Sequence, residues 1–243
     1  MRRLVLAVLC LLPNYLLPIS GHAAVFFDDT FANSDWTSQR VTLGGVFTSD
    51  PTATFSAGQV GSGGNSGAYR ETTQTYTGPN LTVLIAHLNT AAVYNPGVSG
   101  GFVGANFSFD VNFFNYPGTC CSPSYAVGYA PVVEQGGTIY IGDTAVAVLA
   151  QWTSFAVSNQ TESSFALPTE WQGPTQTAHP DFSAAGAPIT FGYATYNGTG
   201  APFTTSTTSG LDNFSVSTFD IPEPGSLFLL SAAVLGLVAR RRR

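Results

Sequence analysis

Residues 106–113 read Asn-Phe-Ser-Phe-Asp-Val-Asn-Phe, so Phe107, Phe109, Val111 and Phe113 alternate with Asn106, Ser108, Asp110 and Asn112. A period of two puts all four apolar side chains on one face of a strand, whereas a helix would scatter them around its axis. The same alternation recurs where Ile189, Phe191 and Tyr193 interleave with Thr190, Gly192 and Ala194, and where Phe214 and Val216 interleave with Ser215 and Ser217. Further strand signals lie at 25–27, 36–47, 69–77, 81–88, 125–133, 138–142 and 152–158, which makes about ten strands. Residues 145–150 read equally as one helical turn or a strand, and no other helix pattern is found. Without βαβ alternation the strands pair antiparallel. Half-buried strands in this number predict an all-β fold, an antiparallel two-sheet β-sandwich of jelly-roll type. Loops are expected at 58–67, 95–101, 117–124, 169–188 and 198–210, and no internal repeat points to a propeller or β-helix.

Charge is sparse: 9% of residues are charged and none is lysine. Aromatic residues make up 13%, enough apolar surface to offset chain entropy on folding, so disorder is excluded. Between residues 25 and 220 thirteen acids face only Arg40 and Arg70. Such a surface repels phosphate backbones, and no nucleic-acid partner is expected.

The remaining arginines are at the ends. Arg2 and Arg3 precede the apolar run 4–12, and Gly21 and Ala23 supply small residues at −3 and −1 of a cleavage site. Residues 1–23 therefore read as a signal peptide cut after Ala23. At the other end Pro222-Glu223-Pro224 is followed by thirteen mainly apolar residues, 227–239, and then Arg240, Arg241, Arg242 and Arg243. Thirteen helical residues span about 20 Å against a hydrocarbon core of roughly 30 Å. This short C-terminal transmembrane helix is a marginal anchor, with its arginines retained on the cytoplasmic side. The expected organisation is a signal peptide (1–23), a β-sandwich domain (24–220) and a processed tail (221–243).

Pro-Glu-Pro, an apolar helix and a terminal arginine cluster, in that order, resemble the PEP-CTERM sorting signal of Gram-negative bacteria. The resemblance implies transient docking in the inner membrane and processing by exosortase, a membrane-embedded cysteine transpeptidase. It also implies delivery to the cell surface or the extracellular matrix. Carried over, Pro222, Glu223 and Pro224 are the recognition triplet and Arg240 to Arg243 the retention cluster. The stretches Phe-Phe-Asp-Asp-Thr-Phe-Ala-Asn-Ser-Asp-Trp (26–36) and Ser-Gly-Leu-Asp-Asn-Phe-Ser-Val (209–216) are similar to the opening and closing strands of concanavalin-like and carbohydrate-binding jelly rolls. That resemblance implies neighbouring first and last strands, with Asp28 or Asp29 facing Asp212 across a shared Ca²⁺.

No catalytic set, metal site or cofactor motif emerges from the rest. Gly97-Val98-Ser99-Gly100-Gly101 fits G-x-S-x-G but leads into a strand instead of the helix a nucleophile elbow requires, so a turn is expected. The glycines of 61–67 miss the phosphate-loop spacing and lack its lysine. His87 and His179 lack the spacing of a zinc pair. Cys120 and Cys121, adjacent in an oxidising compartment, are either free, intermolecularly bridged or joined in a vicinal disulfide. Five Asn-x-Ser/Thr triplets, each a weak signal for glycosylation, start at Asn80, Asn106, Asn159, Asn197 and Asn213, and residues 204–209 read either as a segment for modification or as a plain flexible loop. Trp36, Trp152 and Trp171 are the aromatics to test for sugar stacking, with Trp171, in a Pro/Gly-flanked loop, the one expected at the surface. The sequence thus predicts a non-enzymatic surface or matrix protein serving adhesion, polysaccharide binding or matrix structure. The alternative is a secreted glycan-active enzyme on a concanavalin-like fold, with acids such as Glu162 and Glu170 brought together.

Overall fold

The computed structural model describes residues 23–77, 80–115, 127–143, 145–146, 151–199 and 204–220. The signal run before residue 23, the Cys120–Cys121 loop, and the Pro-Glu-Pro tail with its apolar run and arginines fall outside the described residues. The strands are β1 (Val25–Asp28), β2 (Trp36–Val41), β3 (Thr54–Val60), β4 (Tyr69–Thr77), β5 (Leu81–Tyr94), β6 (Gly104–Asn115), β7 (Gly128–Gln135), β8 (Thr138–Ile141), β9 (Ala145–Val146), β10 (Thr153–Thr161), β11 (Ile189–Thr199) and β12 (Thr204–Phe219). They form two antiparallel sheets, the predicted sandwich. The first runs β10-β6-β12-β4-β3 with β1 also on β12, and the second runs β2-β5-β11-β7-β8 with β9 also on β7. Val25 to Asp28 pair with Ser217 to Phe214, so the first and last strands are neighbours as anticipated.

Between the sheets lies an aromatic core. Phe107, Phe109, Val111 and Phe113 point inward from β6, as their alternation requires, and meet Phe191 and Tyr193 of β11 and Tyr129 of β7. Strand β5 is largely apolar without alternation over residues 83–89 because that stretch is buried on both faces. Val83 and Ile85 pack with Tyr76 toward the first sheet, while Leu84, Ala86 and Leu88 lie beneath Leu43 and Trp171 on the far side. A strand in that position reads as a continuous apolar run. Gly192 sits opposite a bulge in β5, where an added Cβ would come within 2.0 Å of the His87 carbonyl oxygen.

One expectation is overturned at β12. Residues 204–209 are no loop: Thr204–Leu211 pairs with β4, and from Thr208 onward β12 also pairs with β6, making it a central strand. Its inward Thr205, Thr207 and Ser209 are buried, and Gln74 on β4 and Asn197 on β11 are hydrogen-bonded to each other across the interior. One half of the sandwich interior is thus aromatic and the other polar.

Candidate functional site

The outward face of the first sheet carries the most distinctive surface. Tyr69 on β4, Phe114 on β6 and Trp152, just before β10, converge over Gly210 of β12. Their ring centroids are 5.2 Å (Tyr69–Phe114), 5.5 Å (Tyr69–Trp152) and 5.7 Å (Phe114–Trp152) apart, and both Trp152 contacts are edge-on. Such tilted packing is favoured by the ring quadrupoles. The floor must be glycine, because a Cβ at Gly210 would lie 2.7 Å from Phe114 and 2.9 Å from both Trp152 and Tyr69. Phe114 is 37% exposed and Trp152 half-buried, with its indole N–H held by the Gly63 carbonyl at 3.1 Å. Tyr69 donates to Glu71 at 3.1 Å. Burial, the Glu71 charge and that bond push the Tyr69 hydroxyl up to about 12, so it remains a donor at neutral pH.

Beside this platform runs a ladder of hydroxyls. The register aligns Thr54, Thr75 and Ser206 in one row, Ser56, Thr73 and Thr208 in the next, and Thr77 with Thr204 in a third. Thr73 and Thr208 hydroxyls are 3.0 Å apart, Thr75 donates to Ser206 at 3.3 Å, and Thr77 and Thr204 are 2.9 Å apart. Neighbouring strands are about 4.8 Å apart, so the rows form a regular array of donors and acceptors.

A glycine-rich loop is latched to the same face. Asp110 and Asp212 are cross-strand partners. Asp110 accepts from Asn65 at 2.8 Å and Asn213 at 2.6 Å, and Asp212 accepts from the backbone N–H groups of Ser66 (2.9 Å) and Asn213 (2.7 Å). Burial raises the Asp110 carboxyl, but hydrogen bonds from Ser154, Asn65 and Asn213 outweigh it and hold the carboxyl below its usual range. Asp110 therefore stays ionised, which suits a latch and not the protonated acid of glycoside hydrolysis.

The residues singled out in the sequence are placed as follows. Trp171 is 2% exposed: its ring packs edge-on against Tyr196 at 5.0 Å and its N–H reaches the Gly142 carbonyl, because segment 165–182 folds back over the second sheet. Trp36 is also buried, leaving Trp152 as the tryptophan at the surface. Asp28 and Asp212 lie on opposite faces of the first sheet. Asp28 accepts from the Thr30 and Phe31 backbone, the Thr30 hydroxyl, the Trp36 indole and Asn89, toward the interior, and Asp212 holds the outer loop. They do not share an ion. Among the described residues no group of three metal-ligating side chains is present. Glu162 accepts from Phe182 N–H and Glu170 from Thr177 and Ala178, each bracing its own loop. Ser99 belongs to a single helical turn capped by Asn95. Ala23 is exposed, while the N–H of Ala24 donates to the Thr218 hydroxyl at 2.9 Å. Asn197 is buried; Asn106 and Asn213 are engaged in hydrogen bonds; Asn80 and Asn159 are exposed with positive φ. The platform went unread because Phe114 lies just beyond the alternating run 106–113 and Tyr69 only opens the strand signal at 69–77. Only the cross-strand register brings them over Gly210.

Comparison with known proteins places residues 220–243 in the PEP-CTERM protein-sorting motif. This is a signal of export and sorting to the cell surface, and it implies processing by exosortase. No curated protein sequence matches the chain. Among solved structures, the C-terminal family 22 carbohydrate-binding module of Clostridium thermocellum Xyn10B is similar, with a TM-score of 0.40 and 12% identity over 78% of this chain and 91% of that one. TmCBM27, described for specific mannan recognition, gives a TM-score of 0.42 and 10% identity over 81% of this chain and 98% of the module. The CBM22-1 xylan-binding domain of Paenibacillus barcinonensis Xyn10C gives 0.38 and 9%, over 83% and 97%.

Proposed function

We propose that the sorted, surface-delivered chain is a non-enzymatic polysaccharide-binding protein that contributes adhesion or cohesion to an extracellular matrix. In this reading residues 1–23 are removed on export and the segment from residue 221 is cut by exosortase at Pro222-Glu223-Pro224. Residues 24–220 then remain as the working domain. The observation that carries the reading is the Tyr69–Phe114–Trp152 platform beside the hydroxyl ladder. Aromatic faces take the C–H faces of sugar rings, while Thr and Ser hydroxyls exchange hydrogen bonds with sugar hydroxyls.

The charge on this face narrows the ligand. Of the two arginines among the described residues, Arg70 is buried and Arg40 donates to the carbonyls of Asp50, Pro51 and Ala53, whereas Glu71 borders the platform. A neutral polysaccharide is therefore favoured over a uronate or sulfated one. Retention of the protein on insoluble neutral polysaccharide tests the reading. Trp152→Ala and Phe114→Ala should each weaken it about tenfold, equivalent to roughly 1.4 kcal/mol, with the fold intact by circular dichroism. Unchanged retention in the double variant would refute the platform as the site.

A further inference from the structure

An edge strand presents a row of unpaired backbone groups, and this domain blunts most of its own edges. β1, β8 and β9 are four residues or fewer, β2 carries the exposed charge of Arg40, and β10 is broken by a bulge between Val157 and Gln160, with Asn159 at positive φ. β3 is different. It closes one end of the first sheet with seven residues, Thr54–Val60, in unbroken register with β4 and without a charge or a proline.

Two hydrogen bonds show which of its groups face away from β4. The Ala53 carbonyl accepts from Arg40 Nη1 at 3.1 Å, and the Gln59 N–H donates to Asn33 Oδ1 at 2.9 Å. Alternation along the strand turns the N–H and C=O of Phe55 and Ala57 to that same side. Among the described residues no backbone group meets them there. The edge is therefore capped at both ends and open between, in a window centred on Ser56, midway between Ala53 and Gln59.

That window is complementary to itself. We propose that a second copy of this chain pairs with it, antiparallel, about a two-fold axis at Ser56. Phe55 faces the partner's Ala57 and Ala57 the partner's Phe55, each pair exchanging both of its N–H···O bonds. The capped ends limit the pairing to Thr54–Gly58. Phe55, half-buried on the inner face beside Tyr76, Val83 and Ile85, gains a small apolar residue directly across from it. The axis stands normal to the sheet, so both outer faces look the same way. The hydroxyl row of Ser56, Thr73 and Thr208 then continues into that of the partner, spanning about 24 Å at strand spacings of ~4.8 Å. Two aromatic platforms come to share one surface, a route to avidity. That benefit rests on the polysaccharide reading; the dimer does not.

Sedimentation of the full-length protein in a neutral detergent, with no polysaccharide present, tests the pairing. The wild type should pass from monomer to dimer as its concentration rises. Ala57→Pro removes an N–H that β4 does not use, and proline is tolerated on the open side of an edge strand. It should abolish the dimer and leave Tm unchanged. Ser56→Asp sets two like charges face to face at an exposed position and should do the same; it decides the matter if Ala57→Pro does not fold. In protein also carrying Cys120→Ser and Cys121→Ser, Ser56→Cys should yield a disulfide-linked dimer on mild oxidation. A non-hydrogen-bonded antiparallel pair sets its Cα atoms about 4.5 Å apart, within disulfide reach. A wild type still monomeric at on the order of 1 mM, a dimer that persists in the folded variants, or no cross-link through Ser56→Cys would overturn the proposal. Failure to bind polysaccharide would leave each of these outcomes as it stands.

Discussion

At Gly210 a single hydrogen atom in place of a methyl group decides the shape of a surface. Three rings close over that Cα, and a Cβ would stand within 2.9 Å of each of them. Gly210→Ala should therefore displace the aromatic platform, cost about 1–3 kcal/mol through overpacking and abolish polysaccharide retention, as read by denaturant melts and pull-down. His87 makes a second prediction at this scale. The unfolded chain takes up a proton below about pH 6.5 while the buried imidazole, its pKa depressed by burial and by Arg70, does not. More protons bound in the unfolded state means that stability falls as pH drops below about 6.5, by up to ~1.4 kcal/mol per pH unit. Asp28, Asp50 and Asp110, with carboxyls held low against the opposing effect of burial, add to the loss only below about pH 4. Tm should drop between pH 7.5 and 5.0, and His87→Gln should flatten that profile; a wild-type Tm that is level over this interval would contradict the assignment. Single residues were unevenly legible. The inward Phe107 to Phe113 set announced itself, whereas Trp171 was misjudged because Pro and Gly neighbours report a loop and not where the loop lies. Asp110 read as a polar filler, since its facing of Asp212 is a matter of register between strands about a hundred residues apart.

Among the elements, β12 carries the most, and half of it was invisible in the sequence. Phe214 and Val216 alternate with serines, a readable period, but Thr204 to Ser209 is hydroxyl on both faces and gives no contrast between buried and exposed positions. β3, Thr-Phe-Ser-Ala-Gly-Gln-Val, escaped for another reason: Phe55 and Ala57 alternate with Thr54 and Ser56 only briefly before Gly58, where a loop over 58–67 was expected, and the strand in fact runs on to Val60. Its place is set by pairing with β4 as well as by Phe55, which packs against Tyr76, Val83 and Ile85. By contrast β4 and β6 were foreseen nearly to their ends. Thr208 and Thr73 allow the ladder to be tested apart from the core. Replacing both with Val keeps β-propensity and shape on an outward face, so stability should change by less than about 1 kcal/mol. Retention on neutral polysaccharide should nonetheless fall severalfold. Thr207→Pro, which removes a ladder hydrogen bond and cannot sit in a central strand, should unfold the domain by about 3 kcal/mol or more, visible as lost amide protection from 204 to 211.

For the whole molecule, the fold class and the sorting signal were both readable, one from strand periodicity and the other from three elements in fixed order at the C-terminus. The strand order within each sheet and the strap over the second sheet were not, because long-range pairing leaves no local trace. Replacing Pro222, Glu223 and Pro224 with alanines should leave the terminal arginines on the protein in the membrane fraction, as read by intact mass; a variant still trimmed and released would dismiss exosortase processing. The backbone amide of Thr218 also binds the Ala24 carbonyl, so the chain enters and leaves the sandwich at the same corner. From Phe219 back to Thr204 β12 runs sixteen residues, on the order of 50 Å at about 3.3 Å per residue. An attachment made through the residues after Asp220 would therefore grip one extremity of the domain and leave the threonine rows free at the other, like the blade of an oar.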